Sequence, residues 1–260
     1  MGKIILKPKT VIIEGKKKGI KLLDNKQFAK FNPQVLGLGD ISLPSTREEA
    51  IAAVFDLSGF TSFCSHVDPQ LSVPSYLSRF LNWLFGEIKE EFVKESYKEG
   101  KELWADLPFL AKFLGDGVLF LWDTKGMHGD EICNVVASLY NICLDYGGKF
   151  YPKVKKVVAE PPKTLRCGIA RGGVFSVGNG DDYVGPCINI ASRLQKLSLL
   201  TFCVSGRGFD FEKDMHKDTA AMGIVKSVLL RGIGKKELVW VRKHEFDSLP
   251  EKEKELFKNP

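Results

Sequence analysis

The chain has 260 residues, 44% of them hydrophobic and 27% charged, which suits one sizeable packed α/β domain carrying an appendage. Its longest apolar runs fall well short of the ~18 residues a membrane-spanning helix needs, and the N-terminus shows no secretory leader, so the expected location is cytoplasmic. The net charge of +6 is uneven, because residues 1–30 hold nine lysines against Glu14 and Asp24 while the remainder is nearly neutral.

Residues 1–49 read as a basic N-terminal extension, with short β-forming stretches at Ile4–Leu6 and Val11–Ile13 separated by Lys/Gly turns. No aromatic residues are interleaved among Lys16, Lys17 and Lys18, as a stacking surface for nucleic acid requires. The lysines are therefore read as a solvated β-turn or arm, with no nucleic-acid partner.

The main domain opens at Ile51–Asp56, a short apolar run suited to a buried strand, which Gly59 ends. From Pro74 the residues Leu77, Phe80, Leu81, Leu84, Phe85, Ile88 and Phe92 recur at steps of three and four, predicting an amphipathic helix with Pro74 in its first turn. Phe109–Leu114 and Val118–Trp122 flank Gly115-Asp116-Gly117 and predict a hairpin with Asp116 at its tip. A second helix is predicted from Asp130 to Tyr146, stopped by Gly147-Gly148, and a strand follows at Leu165–Ala170. The order β-α-β-β-α-β is ferredoxin-like: an α+β fold with one antiparallel sheet and helices on one face. Cys64, Cys133, Cys143, Cys167, Cys187 and Cys203 include no Cys-x-x-Cys pair, so they read as reduced residues, mostly in the core.

Asp56 ends a strand and Asp116 tips a hairpin, and neighbouring strands can bring the two together. Two carboxylates without histidine suit hard ions such as Mg²⁺ and phosphate chemistry; either Asp alone reads as a turn residue. The turn Leu57-Ser58-Gly59-Phe60-Thr61 offers backbone N–H groups to phosphate oxygens, or is an ordinary strand-to-helix connection.

Three blocks, Phe55-Asp-Leu-Ser-Gly-Phe-Thr61, Lys112-Phe-Leu-Gly-Asp116 and Asp182-Tyr-Val-Gly-Pro-Cys-Ile-Asn-Ile-Ala-Ser-Arg193, resemble the signature blocks of the class III adenylate/guanylate cyclases, in that family's order. The resemblance covers residues 50–243 and leaves 244–260 as a charged C-terminal tail. It implies that Asp56 and Asp116 bind two divalent ions, Mn²⁺ or Mg²⁺, with the Leu57 carbonyl completing a site. It implies that Gly59, Phe60 and Thr61 hold phosphates, and that Lys112 and Asp182 read the base. Asn189 and Arg193, four apart on a predicted helix, would orient the ribose and stabilise charge on the α-phosphoryl group; from the residues alone they are equally a surface pair. Many relatives place a lysine before a late-strand glycine to contact phosphates. Here Arg231 precedes Gly232, and its guanidinium fork can serve, with Lys235 and Lys236 as alternatives. Relatives divide these residues between two subunits, which implies a homodimer with shared sites.

A lysine donor beside an aspartate acceptor fits adenine and cytosine and disfavours guanine and uracil, which present a carbonyl and a ring N–H. Phe113, after Lys112, stands where many purine cyclases carry a smaller residue. Phe63-Cys64, Asp68-Pro69 and the Trp83-containing helix resemble the pyrimidine cyclases of bacterial antiphage defence, which signal to a separate effector. The expectation is a cytidylate cyclase. An adenylate cyclase and an inactive nucleotide-binding module are the alternatives.

Overall fold

A computed structural model describes residues 7–65, 68–179 and 182–260. The predicted Ile4–Leu6 stretch lies outside the described residues. Chain contacts divide into two compact units, Met1–Thr46 with Ser176–Tyr183, and Arg47–Phe175 with Val184–Pro260.

In the first unit, β1 (Lys7–Ile13) and β2 (Lys16–Leu22) form an antiparallel hairpin. Glu14 and Gly15, both with positive φ, make its two-residue turn, the backbone that matches the twist of paired strands. Lys16, Lys17 and Lys18 therefore lie in a strand rather than in the turn expected for them. Pairing with Val11–Ile13 draws them into the ladder, and exposed lysines are tolerated on a two-stranded ribbon.

The second unit carries β3 (Arg47–Ser58), α1 (Pro69–Phe92), β4 (Leu110–Phe113), β5 (Gly117–Asp123), α2 (Gly129–Asp145) and β6 (Thr164–Val177). Further on come α3 (Pro186–Leu194), β7 (Phe202–Ser205), β8 (Gly223–Leu230), β9 (Gly234–Arg242) and β10 (Phe257–Lys258). The sheet runs β10-β8-β9-β7-β6-β3-β5-β4. Within it β6-β3-β5-β4 is the ferredoxin-like arrangement expected from the order of elements.

Alternation along β3 decides what each face does. Ile51, Ala53, Phe55 and Leu57 join one core with Phe80, Leu84 and Phe92 of α1 and Val135, Val136 and Leu139 of α2. Each of the larger aliphatic and aromatic side chains buried there contributes roughly 1.5–3 kcal/mol. Asp56 falls on the opposite face, as does Gly168 of β6, whose partner in register is Val54. There α3 approaches so closely that a Cβ on Gly168 would come 2.2 Å from the Ala191 carbonyl oxygen. The two crossover helices share one face, and α3, outside that repeat, lies on the other.

Two helix ends differ from expectation. α1 begins at Pro69, and Pro74 sits inside it. Ser72 N already donates to Asp68 O, and Val73 packs against the core, so tertiary packing extends the helix back past a proline that reads as a start. Gly147-Gly148 does not stop the second helix. The chain widens into a π-helical turn, Tyr146–Phe150, then a further turn, Tyr151–Val154. That wide turn sends both Tyr146 and Phe150 into the core, ring centroids 5.4 Å apart, and the aromatic burial outweighs the glycines' helix cost of ~1 kcal/mol each. Within residues 244–260, Phe257 is buried against Phe246, and its strand pairs with β8. Among the described residues no helix is long and apolar enough to cross a membrane.

Candidate functional site

At the C-terminal end of β3, Asp56 pairs in register with Gly117 on one side and Arg166 on the other. The β4–β5 hairpin docks on this end, and Leu57 N donates to Asp116 O at 3.0 Å. The main chain of Asp116 is thereby fixed beside that of Leu57. Gly117 makes the approach possible, since a Cβ there would meet Phe55 O at 1.9 Å. The hairpin tip is half-buried at Asp116, while the Asp56 carboxylate is almost fully buried and ion-paired with Arg166, Nη2 to Oδ2 at 2.6 Å.

Arg166 went unnoticed in the sequence. Its signal was a lone charge within the apolar run Leu165–Ala170, but the run does not disclose its partner. Cross-strand pairing puts Arg166 on the face of Asp56, where a buried carboxylate requires a cation. The groups that the resemblance assigns to a metal, the Asp56 and Asp116 carboxylates and the Leu57 carbonyl, are oxygen donors. Such a set fits a hard divalent cation.

Gly59 follows in the left-handed region, φ 82°, and opens a single helical turn, Phe60–Phe63. The Phe60 side chain is buried in the core, so only its main chain can serve a ligand; Thr61 is exposed. The N–H groups of Phe60 and Thr61 precede the first intrahelical donors, Phe63 N to Gly59 O and Cys64 N to Phe60 O.

Lys112 pairs with Leu119, which pairs with Val54. Lys112 therefore shares the face of Asp56. Phe113 pairs with Val118, itself opposite Phe55, and so lies on the helix-covered face. Strand alternation directs consecutive side chains to opposite faces, so the size of Phe113 beside Lys112 carries no argument about the base. Asp182 belongs to the first unit, in a short strand Asp182–Val184, where its Oδ1 accepts from Tyr183 N.

Cys187, Ile190, Ala191 and Leu194 form the buried face of α3. At ~100° per residue, Asn189 and Arg193 project from the other side of that helix. Both are exposed, with Arg193 Nη1 donating to Asn189 O. The Arg193 guanidinium lies beside Gly232, where an added Cβ would be 3.4 Å from Nη2. Arg231, Gly232 and Ile233 connect β8 to β9, so Arg231 joins the same surface as Asn189 and Arg193.

The Arg231 turn is remote from Asp56 along the sheet. Val54 aligns through Gly168 and Cys203 with Val241 near the end of β9. The Arg231 turn lies at the other end of that strand, before Gly234, ~23 Å of strand path away. Asp56 lies beyond Val54 in the opposite direction. The chain therefore presents carboxylates at the C-terminal end of β3 and a cationic turn at the opposite end of β9.

Among the described residues the grouping of three acids able to share a cation is another, Glu87, Glu91 and Asp145 on α1 and α2. Lys149 already binds Asp145, and Asn141 binds Glu91. The six cysteines are free, five of them buried. Burial pushes the Cys133 and Cys187 thiols up to about 11 and raises those of Cys167 and Cys203 as well.

No family model matches the sequence, and no curated protein does. Solved structures do match in fold. The adenylyl cyclase CyaB from P. aeruginosa aligns with 77% of this chain and 96% of its own, at 15% identity and a TM-score of 0.56. The guanylyl cyclase Cya2 aligns with 77% of this chain and 94% of its own, at 18% identity and a TM-score of 0.57. The catalytic core of a rhodopsin-guanylyl cyclase with converted specificity, in complex with ATPalphaS, aligns with 76% of this chain and 97% of its own, at 17% identity and a TM-score of 0.51. The chain has the fold of class III adenylyl and guanylyl cyclase domains.

Proposed function

We propose that this chain is a class III nucleotidyl cyclase that closes a nucleoside triphosphate into a 3′,5′-cyclic monophosphate and releases pyrophosphate. One observation carries the reading. On a cyclase fold, a buried aspartate at the end of a central strand adjoins a second aspartate held at a hairpin tip by the Leu57–Asp116 backbone bond. The fold alone hosts other functions; the all-oxygen donor set at this position favours metal-assisted phosphoryl chemistry.

In this reading Asp56, Asp116 and the Leu57 carbonyl hold two divalent ions, Mn²⁺ or Mg²⁺. Those ions, when bound, supply acidification of the ribose 3′-hydroxyl and neutralisation of the leaving pyrophosphate. The main-chain N–H groups of Gly59, Phe60 and Thr61 receive phosphate oxygens. Asn189 orients the ribose, Arg193 stabilises charge developing on the α-phosphoryl group, and Arg231 adds a bidentate donor to the phosphates.

The resemblance implies a head-to-tail homodimer, and the separation of Asp56 from the Arg231 turn within one chain supports it. A twofold axis that brings Asn189, Arg193 and Arg231 of one subunit to Asp56 and Asp116 of the other does the same in reverse, giving two equivalent sites.

For the base, Lys112 and Asp182 supply a donor and an acceptor, which suit cytosine and adenine. We favour CTP on the resemblance to the pyrimidine cyclases of antiphage defence, with cyclic CMP as a cytoplasmic messenger to a separate effector. ATP is the second reading, because adenine offers Lys112 and Asp182 the same edge and Phe113 gives no ground for a narrowed pocket. Incubating the purified protein with ATP, CTP, GTP and UTP in turn, with Mn²⁺, and identifying products by mass tests both. Cyclic CMP as the main product supports the first, cyclic AMP the second, and no cyclic product from any nucleotide refutes the cyclase reading.

A further inference from the structure

We propose that Lys163 binds the terminal phosphates of the substrate and the departing pyrophosphate, in a depression that continues the Asp56 row to the end of the sheet. The proposal deepens the cyclase reading and rests on it.

The strand register lays out the path. Asp56 faces Arg166, Leu57 faces Leu165, and Ser58 faces Thr164. Alternation puts Asp56, Arg166, Ser58 and Thr164 on one face, with Ser58 and Thr164 ~7 Å beyond the carboxylate. A phosphate chain that starts at the carboxylates and runs along this row passes over these two hydroxyls. The depression beyond them has two banks, Ser58, Gly59 and Ser62 on one side and the segment from Glu160 to Thr164 on the other. Lys163 is exposed on the second bank. Glu160 lines the same bank with the opposite charge, so Lys163 and the hydroxyls are its attractive half for an anion.

Lys163 stands on a rigid support. Pro161 and Pro162 are buried, and proline fixes φ. Tyr146 Oη donates to Pro162 O at 2.6 Å and is itself 2.7 Å from Tyr76 Oη. Both phenols are buried, and burial raises their pKa values, so they stay protonated across the working range. The wide turn that carries Tyr146 inward thus clamps the carbonyl immediately before Lys163. A clamped backbone leaves only the lysine side chain to order when an anion binds, which lowers the entropic cost.

The test is calorimetric titration of inorganic pyrophosphate into the full chain with Mn²⁺ present, run beside kinetics with the preferred nucleotide. Lys163→Ala is expected to weaken pyrophosphate binding by roughly 5- to 30-fold, with unchanged circular dichroism. Lys163→Arg retains most of the affinity, Glu160→Gln leaves it unchanged or tightens it, and Lys156→Ala, an exposed lysine outside the depression, leaves it unchanged. Equal pyrophosphate affinity for wild type and Lys163→Ala overturns the subsite even if the wild type cyclises nucleotides normally. Pyrophosphate binding that depends on Lys163 in a protein that cyclises no nucleotide upholds the subsite and overturns the cyclase reading instead.

Discussion

Arg166 donates from Nε at 3.2 Å and from Nη2 at 2.6 Å to a single oxygen of Asp56, Oδ2. Neither bond uses Oδ1, the oxygen left to a metal ion under the cyclase reading. The pair supplies the nearly buried carboxylate with a counter-charge. Under the cyclase reading, metal and arginine are alternative counter-ions.

Replacing the arginine separates these roles. Arg166→Met strands Asp56, and because the arginine is partly exposed the cost is about 2 kcal/mol, below that of a fully buried pair. In chelator the melting temperature falls by ~4–8 °C. Mn²⁺ then raises the variant's melting temperature more than the wild type's, since it restores the missing cation. Equal Mn²⁺ stabilisation of both proteins removes the metal from Asp56.

Lys112 shares the face of Asp56 and is assigned to the base. A polar contact to the base edge that the wrong base leaves unmet in the closed complex costs about 1–3 kcal/mol, or roughly 5- to 150-fold in selectivity. Lys112→Ala is expected to erode the kcat/KM ratio of CTP over GTP and UTP by that factor, with the Mn²⁺ dependence of the rate unchanged. Preserved selectivity in this variant removes Lys112 from base recognition. UTP as the wild type's best substrate defeats the Lys112/Asp182 pair altogether, because uracil presents a carbonyl where Asp182 needs a donor.

The cysteines give a prediction independent of catalysis. A thiol held at about 11 is roughly one part in a thousand thiolate at pH 8. Native protein is expected to react with a thiol reagent first at Cys64, the partly exposed one, and at the other five only on unfolding. Rapid native labelling of several cysteines contradicts the burial described.

Much of this was legible from local pattern. The Gly115-Asp116-Gly117 turn between two β-rich runs disclosed the hairpin, and the apolar spacing from Leu77 to Phe92 disclosed the body of α1. Elements whose extent depends on distant partners were not. Pro74 reads locally as a helix start, yet packing of Val73 extends the helix back to Pro69. Gly147-Gly148 reads as a stop, yet burial of Tyr146 and Phe150 carries the chain through. The site divided in the same way: Asp56 and Asp116 are visible as carboxylates at a strand end and a turn, whereas Arg166 and Lys163 acquire meaning only from the β3–β6 register. The facing of Phe113 likewise required knowing which face of β4 the helices cover.

In the proposed homodimer two copies of the chain complete each other's sites, and mixing two inactive variants tests this most directly. Asp56→Asn breaks the carboxylate half and keeps a partner for Arg166; Arg193→Ala breaks the other half. Each alone is expected to lose at least ~100-fold in rate. An exchanged equimolar mixture contains about half heterodimers, each with one intact site of two, so cyclisation should return to about a quarter of the wild-type rate. No recovery in a mixture where subunit exchange is demonstrated would contradict the shared site and require all the catalytic residues to act within one chain.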